Sequence, residues 1–406
     1  MQLDRILGMS LTADTAITQS AKAAATVWDG VERRTRPRAL LAMEQIAPDA
    51  WDRAAAEFDG VVQEQLYAYA KTRWPSAKPE AVVFSLDGEV IGGTLMMIQR
   101  LPLGLGAIAI SKWGPIFKDA ARPDAEAIFG SMIDALVEDY AVKRKMMLSV
   151  LPRAATAPSN WQYEHLIARG FHKGATLLFP NRYVVNLRLS DEAQRKSLNQ
   201  KWRYHLNKSE KAGLTFEHAG IERAQEFDAL YEAMTDRKNF PDHSAYNTIP
   251  ALMGVDAVAL RPELFFVRHE GEVVAGAIIF KAGDTAVYLF GATNDRALPL
   301  RAGYFMHWNI IRWLRDNTAA KWYDLGGTDG FQGLHQFKKG MVGDAGVITP
   351  VPPVANFATY RLPFILGTAA FAGREFAHRA QRQIDKLFGG KAKPDQQRTT
   401  ASAEGE

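Results

Sequence analysis

The sequence contains no cysteine. That absence removes disulfides, thiolate zinc sites, iron–sulfur clusters and a thiol nucleophile together, and it suits a reducing compartment. Long apolar runs are missing as well. The longest, Pro363 to Gly373, is about eleven residues and includes Thr368, against the roughly twenty that a membrane-spanning helix needs. The N-terminal stretch mixes Asp4, Arg5, Asp14 and Lys22 with small residues. It lacks the apolar core of a secretory leader, so a cytoplasmic protein is expected. No Gly-x-Ser-x-Gly elbow, His-Glu-x-x-His pair or Gly-x-x-x-x-Gly-Lys loop occurs, which sets aside the nucleophilic, zincin and phosphate-loop chemistries. His205, His243, His307 and His335 are scattered without ligand spacing, and no metal site is expected. A net charge of +4 suits anionic ligands but falls short of a protein that coats nucleic acid.

What is present points to two packed domains, because 406 residues at 47% hydrophobic composition exceed one ordinary core. Residues Ala81 to Thr94 and Leu264 to Ala277 read as two copies of one hairpin, with Asp87-Gly88 and Glu270-Gly271 at the turns, where positive φ favours glycine. The order after each hairpin also repeats. A strand follows (Ala107 to Trp113; Ala286 to Phe290), then a long helix (Asp124 to Lys143; Gly303 to Asn317), then a short strand (Met146 to Val150; Trp322 to Leu325). Ile128, Met132, Leu136 and Tyr140 form one helical stripe, and Tyr304, Trp308 and Ile311 another. A hairpin, strand, crossover helix and strand give a mixed sheet flanked by helices, so the fold class is α/β in two similar halves. Short Gly-Glu-Val runs recur by chance, but four elements in the same order favour duplication.

The division expected is a loose extension over 1–38, a first domain over 39–187, a second over 188–352, a basic amphipathic helix within 353–388 and a disordered tail over 389–406. Between the halves, Asn199 to Gly213 reads as a basic helix with Leu198, Trp202, Leu206 and Ser209 on one stripe. Its lysines and arginines offer either a solvated face or contacts to phosphates. In the last helix, arginines stand beside Phe364, Ile365, Leu366 and Phe371, which allows packing on the protein or association with a membrane surface.

The stretch richest in chemistry is Trp322 to Gly343. A strand ends in Asp324-Leu325-Gly326-Gly327 and leads through Gly333 into Phe337-Lys338-Lys339-Gly340, read here as a glycine-rich loop. A lysine beyond strand ends can hold an anion, or the oxyanion that grows when an amine attacks an ester. It can equally be a solvated surface lysine, and the sequence does not choose between Lys338 and Lys339. Asp324 can orient a turn or the lysine, accept a proton, or simply end a strand. Acetyl-CoA enzymes of this kind cradle pyrophosphate on a glycine-rich turn at the long helix. Here Lys118 to Asp124 lacks that pattern, and Arg301-Ala302-Gly303 only approaches it.

The Tyr323 to Gly343 segment, preceded by Tyr288-Leu289-Phe290-Gly291-Ala292 and the Trp308 helix, resembles the Fem family of peptidoglycan interpeptide-bridge aminoacyltransferases, in its compact FemX-like form. The resemblance runs from Pro48 to Val351 and includes the Gln65 to Trp74 helix, Leu101-Pro102-Leu103-Gly104 and Trp113-Gly114-Pro115. It implies two tandem GNAT-like domains and transfer of an activated aminoacyl or acyl group to an amine of an envelope precursor, a UDP-muramyl peptide or a lipid-linked one. The donor implied is aminoacyl-tRNA or acyl-CoA as co-substrate, with no permanently bound cofactor. By position, Lys338 with Phe337 and Asp324 would be catalytic. Lys71, Arg237, Tyr304, Gly326 and Gly327 would bind substrate, with Lys71 and Arg237 on the acceptor's phosphates. Contact with tRNA and with the inner membrane surface is compatible with this reading. The competing readings are a GNAT-type N-acyltransferase acting on an amino sugar, and a non-catalytic envelope scaffold.

Overall fold

The structure, a computed structural model, describes residues 11–12, 41–238 and 245–371. The expected extension and tail lie outside these residues, apart from strand β1 (Leu11–Thr12). In the first half the strands are β2 (Leu41–Ile46), β3 (Lys78–Leu86), β4 (Glu89–Arg100), β5 (Ala107–Lys112), β6 (Ile116–Phe117), β7 (Met147–Leu151), β8 (His172–Lys173) and β9 (Thr176–Leu177). Among the described residues, strand β1 pairs only with β9. Next come β10 (Asn181–Asn186), β11 (Leu214–Ala219), β12 (Glu263–His269), β13 (Glu272–Phe280), β14 (Thr285–Thr293), β15 (Trp322–Asp324), β16 (Val347–Pro350) and β17 (Ala355–Phe357).

The duplicated hairpins are β3–β4 and β12–β13. Asp87 and Gly88 take φ values of 52° and 86°, and Glu270 and Gly271 take 51° and 84°. Both turns thus place two residues at positive φ, the geometry that matches strand twist in a two-residue loop. Each hairpin also carries a bulge at the same place in the repeat, between Phe84 and Ser85 and between Val267 and Arg268. In both halves one strand pair is parallel, β5 with β7 and β14 with β15, because each is joined by a crossover helix. Those helices are Ala125–Leu136, continued as a π-helical turn to Lys143, and Ala302–Asn317. The expected apolar stripes are buried: Ile128, Met132, Leu136 and Tyr140 in one, Trp308 and Ile311 in the other.

The halves are less separate than the sequence suggested. The second sheet runs β11-β12-β13-β14-β15-β10-β16, and the first runs β2-β3-β4-β5-β7-β17-β8. Strand β10, expected in the first domain, therefore lies in the second sheet. Strand β17, expected beyond both, lies inside the first, between β7 and β8. The prolines at 350, 352 and 353 do end the second sheet, but the chain then crosses back instead of entering a helix directly. Residues 361–371 are helical, 353–360 form the β17 segment and a bend instead of helix, and the residues after 371 lie outside the described residues. One apolar cluster joins Leu95, Met97 and Ile110 of the first sheet to Phe266, Ile278 and Phe280 of the second, so the seam between the halves is itself a core.

Candidate functional site

The C-terminal end of β15 is where the chemistry gathers. Its ladder with β14 stops at Val287 and Asp324, while β14 runs on to Thr293. The chain therefore turns at Leu325, and Gly326 takes φ 76°, a conformation that glycine adopts without cost. Asp324 fixes this turn from both sides. Its Oδ1 accepts the Gly326 N–H at 2.8 Å, and its carboxylate receives Arg182 Nε and Nη2 at 3.0 and 2.8 Å. Arg182 comes from β10, which the strand exchange places beside β15.

Phe337 and Lys338 do not lie in a glycine loop. They belong to a helix, Gln332–Val342, that returns over the turn, because Gly333 and Gly340 are tolerated between Leu334, Phe337 and Met341 on an apolar spacing. Gly340 allows the close approach of Trp202, whose Cδ1 would lie 3.0 Å from an added Cβ and would have to shift slightly. Lys338 is only 6% exposed. Its ammonium donates to the carbonyl oxygens of Leu325 and Gly327, each at 2.5 Å. Two of its three N–H groups are thereby engaged among the described residues. Burial, aided by the Arg182 charge and opposed by Asp324 and Asp329, pushes its pKa down to about 8. Lys339, one residue on, is exposed, which separates the two lysines that the sequence left equivalent.

An aromatic wall stands next to this lysine. Phe337 meets Tyr304 edge-on at 5.0 Å, Trp202 at 6.0 Å and His307 at 5.6 Å. His307 is buried, and its pKa falls to about 3, chiefly through burial and secondarily through the Lys338 charge. It is therefore a neutral ring, and its Nδ1 lies 3.2 Å from the Tyr323 hydroxyl. On the other side of the turn is a cavity of about 290 Å³ lined by Phe179, Asn181, Tyr183, Thr328, Gln332 and His335.

Across the seam, Lys112 ends β5. Its ammonium sits 3.7 Å from Glu64 and 5.4 Å from the rings of both Trp74 and Trp113. Burial lowers its pKa against the pull of Glu64, and the Arg182 charge adds to the lowering. The structure thus brings Lys338, Phe337, Asp324, Tyr304, Gly326 and Gly327 together. Lys71 is exposed on the Tyr67–Arg73 helix, 5.8 Å from the Tyr67 ring, and stands apart from this group. The side chain of Arg237 lies outside the described residues. Arg182, Lys112 and His307 were not singled out as site residues in the sequence. Arg182 is 142 positions from its partner, so only the strand register reveals the pair. Metal-binding clusters of three or more His, Asp or Glu are absent among the described residues, and no described helix is long and apolar enough to cross a membrane.

The two crossover helices differ at their N-termini. At the first, Asp119, Asp124 and Glu126 stand with Arg122, which holds Asp124 in a bidentate pair. The second begins at Arg301 in the left-handed region with Gly303 next to Phe337.

Residues 194–339 match the family model for an acetyltransferase (GNAT) domain. That match, together with the mixed sheets and their parallel crossover, makes the chain a two-domain α/β acyltransferase. The fold resembles that of FemX: a crystal structure of FemX aligns with a TM-score of 0.64 at 15% identity, covering 78% of this chain and 97% of that one. A conserved protein of unknown function from Bacteroides thetaiotaomicron aligns at 0.50 with 14% identity over 78% and 98% of the two chains. The C-terminal domain of a putative lysylphosphatidylglycerol synthetase from Agrobacterium fabrum aligns at 0.46 with 15% identity over 79% and 96%. No curated protein matches the chain in sequence.

Proposed function

We propose that the protein transfers an aminoacyl group from an ester-activated donor to an amine of a cell-envelope precursor, with Lys338 as the fixed cation that stabilises the oxyanion. The observation that carries this reading is the buried ammonium at the end of β15, anchored by two carbonyls and retaining one N–H. An ester is already activated, so positioning and charge stabilisation supply most of the rate once the amine is deprotonated. Asp324 acts through Arg182 and the Gly326 turn as the positioning carboxylate. Tyr304 and Phe337 give an apolar wall to the donor, and the cavity beyond Gly327 has room for a side chain of amino-acid size. Lys71 and Arg237 hold acceptor phosphates in this scheme. The donor is aminoacyl-tRNA, and the acceptor is a UDP-muramyl peptide or its lipid-linked form.

Acyl-CoA is the second donor reading, favoured by the acetyltransferase family match over 194–339. Thermal unfolding against CoA thioesters, UDP-muramyl peptides and aminoacyl-tRNA separates the two, because a ligand of the folded state raises the melting point by mass action. Stabilisation by a muramyl peptide together with aminoacyl-tRNA is the expected result. A shift with CoA thioesters alone overturns the donor, and no shift with any of them favours a scaffold. A Lys339→Ala variant, altering an exposed side chain, should retain turnover within about twofold of wild type in steady-state assays.

A further inference from the structure

One end of the first sheet breaks two local rules at once. At the β4–β5 tip, Leu103 holds φ 57° without being glycine and is 95% exposed. Left-handed backbone is costly for such a residue, and an exposed leucine gains nothing from burial to offset it. Leu105 beside it is 50% exposed. The same end of the sheet carries a second apolar face. Strands β4 and β17 finish there, and β5 and β7 begin there. The helix at 361–371 leaves from β17 and packs Gly367 against Met147, while Leu362 and Ile365, one turn apart, are 65% and 61% exposed on its outer side. Three strand spacings, about 14 Å, separate β4 from β17, so the tip and the helix form one neighbourhood.

Its rim is basic. Arg100, Lys143, Lys145 and Arg361 are exposed, Lys145 lies over the Tyr360 ring, and the nearby acids Asp139 and Glu80 are already paired with Arg144. Apolar side chains ringed by cations match the head-group layer of an anionic bilayer, in which each surface cation adds roughly 1 kcal/mol. A protein partner would also cover apolar area, but four exposed cations against one exposed acid, Glu138, favour a negatively charged surface.

We propose that this end of the first sheet docks on an anionic membrane surface, with Leu103, Leu105, Leu362 and Ile365 entering the head-group layer. The Lys112 end of β5 would then stand about 17 Å further out, at about 3.3 Å per residue. The site would face the aqueous side, open to a donor from solution. The inference is independent of the transferase reading.

Flotation of the full-length protein with vesicles tests it. Recovery is expected with phosphatidylglycerol–phosphatidylcholine vesicles and at least about tenfold less with phosphatidylcholine alone, falling as salt rises. Leu103→Asp combined with Ile365→Asp alters exposed side chains and should abolish binding while circular dichroism stays unchanged. Three results overturn the proposal: no flotation of the wild type, equal flotation of the double variant, or a wild-type dimer in light scattering that this variant dissolves, which would make the patch a self-association face.

Discussion

Replacing Lys338 by methionine should lower turnover at least about 100-fold, the loss seen when one oxyanion donor is removed. Methionine keeps much of the stem volume and removes a desolvated charge, so the fold should survive. The Leu325 and Gly327 carbonyls lose a donor, which costs about 1–3 kcal/mol for each group left unsatisfied. Circular dichroism and steady-state kinetics on the same preparation separate the two effects, and turnover within tenfold of wild type would remove Lys338 from the chemistry. The pH profile adds an independent sign. The cationic form is the one that stabilises an oxyanion, and burial sets its pKa at about 8. The activity limb that depends on Lys338 should therefore be full below that value and fall as pH rises through it. Deprotonation of the amine pushes the opposite way, so a bell is expected in the wild type. In Lys338→Met the falling limb should vanish.

The second large effect concerns the pair that builds the turn. Arg182→Met leaves the half-buried Asp324 carboxylate without its bidentate partner. Removing one member of such a pair destabilises by about 3 kcal/mol, and the exposure of Arg182 keeps the figure at the low end of its range. Adding Asp324→Asn should return most of that stability, because an amide oxygen still accepts the Gly326 N–H and carries no charge. Activity should stay low in both variants, since the turn that anchors Lys338 is no longer clamped to β10. Chemical denaturation reads the first quantity and a turnover assay the second. Equal stability of Arg182→Met and wild type would mean that solvent already screens the pair.

The sequence made the repeat legible because glycine at a two-residue turn and an apolar alternation are local signals, and the structure puts even the bulge at the equivalent position. The lysine and its flanking glycines were legible for the same reason. Their setting was not. The Gln332 to Val342 segment carries two glycines, Gly333 and Gly340, which reads as loop, whereas packing against Trp202 and Tyr304 holds it as helix; tertiary contact outweighed local propensity. Arg182 and Lys112 could not be assigned, because nothing near either residue in sequence hints at a partner, and strand order decides what each one faces. The domain boundary failed similarly: β10 has the composition of any half-buried strand, and nothing in it tells which sheet it will join.

The placement of β17 bears on how the molecule comes into being. It is an interior strand of the first sheet, and its Asn356 bonds Ser149 across 207 positions of sequence. Domains ordinarily complete in the order in which they leave the ribosome. Here the earlier half must wait with a gap beside β7 until the later half has been translated. The two halves are thus tied to a common moment of completion, and a nascent chain stopped short of residue 355 would leave the earlier half unfinished.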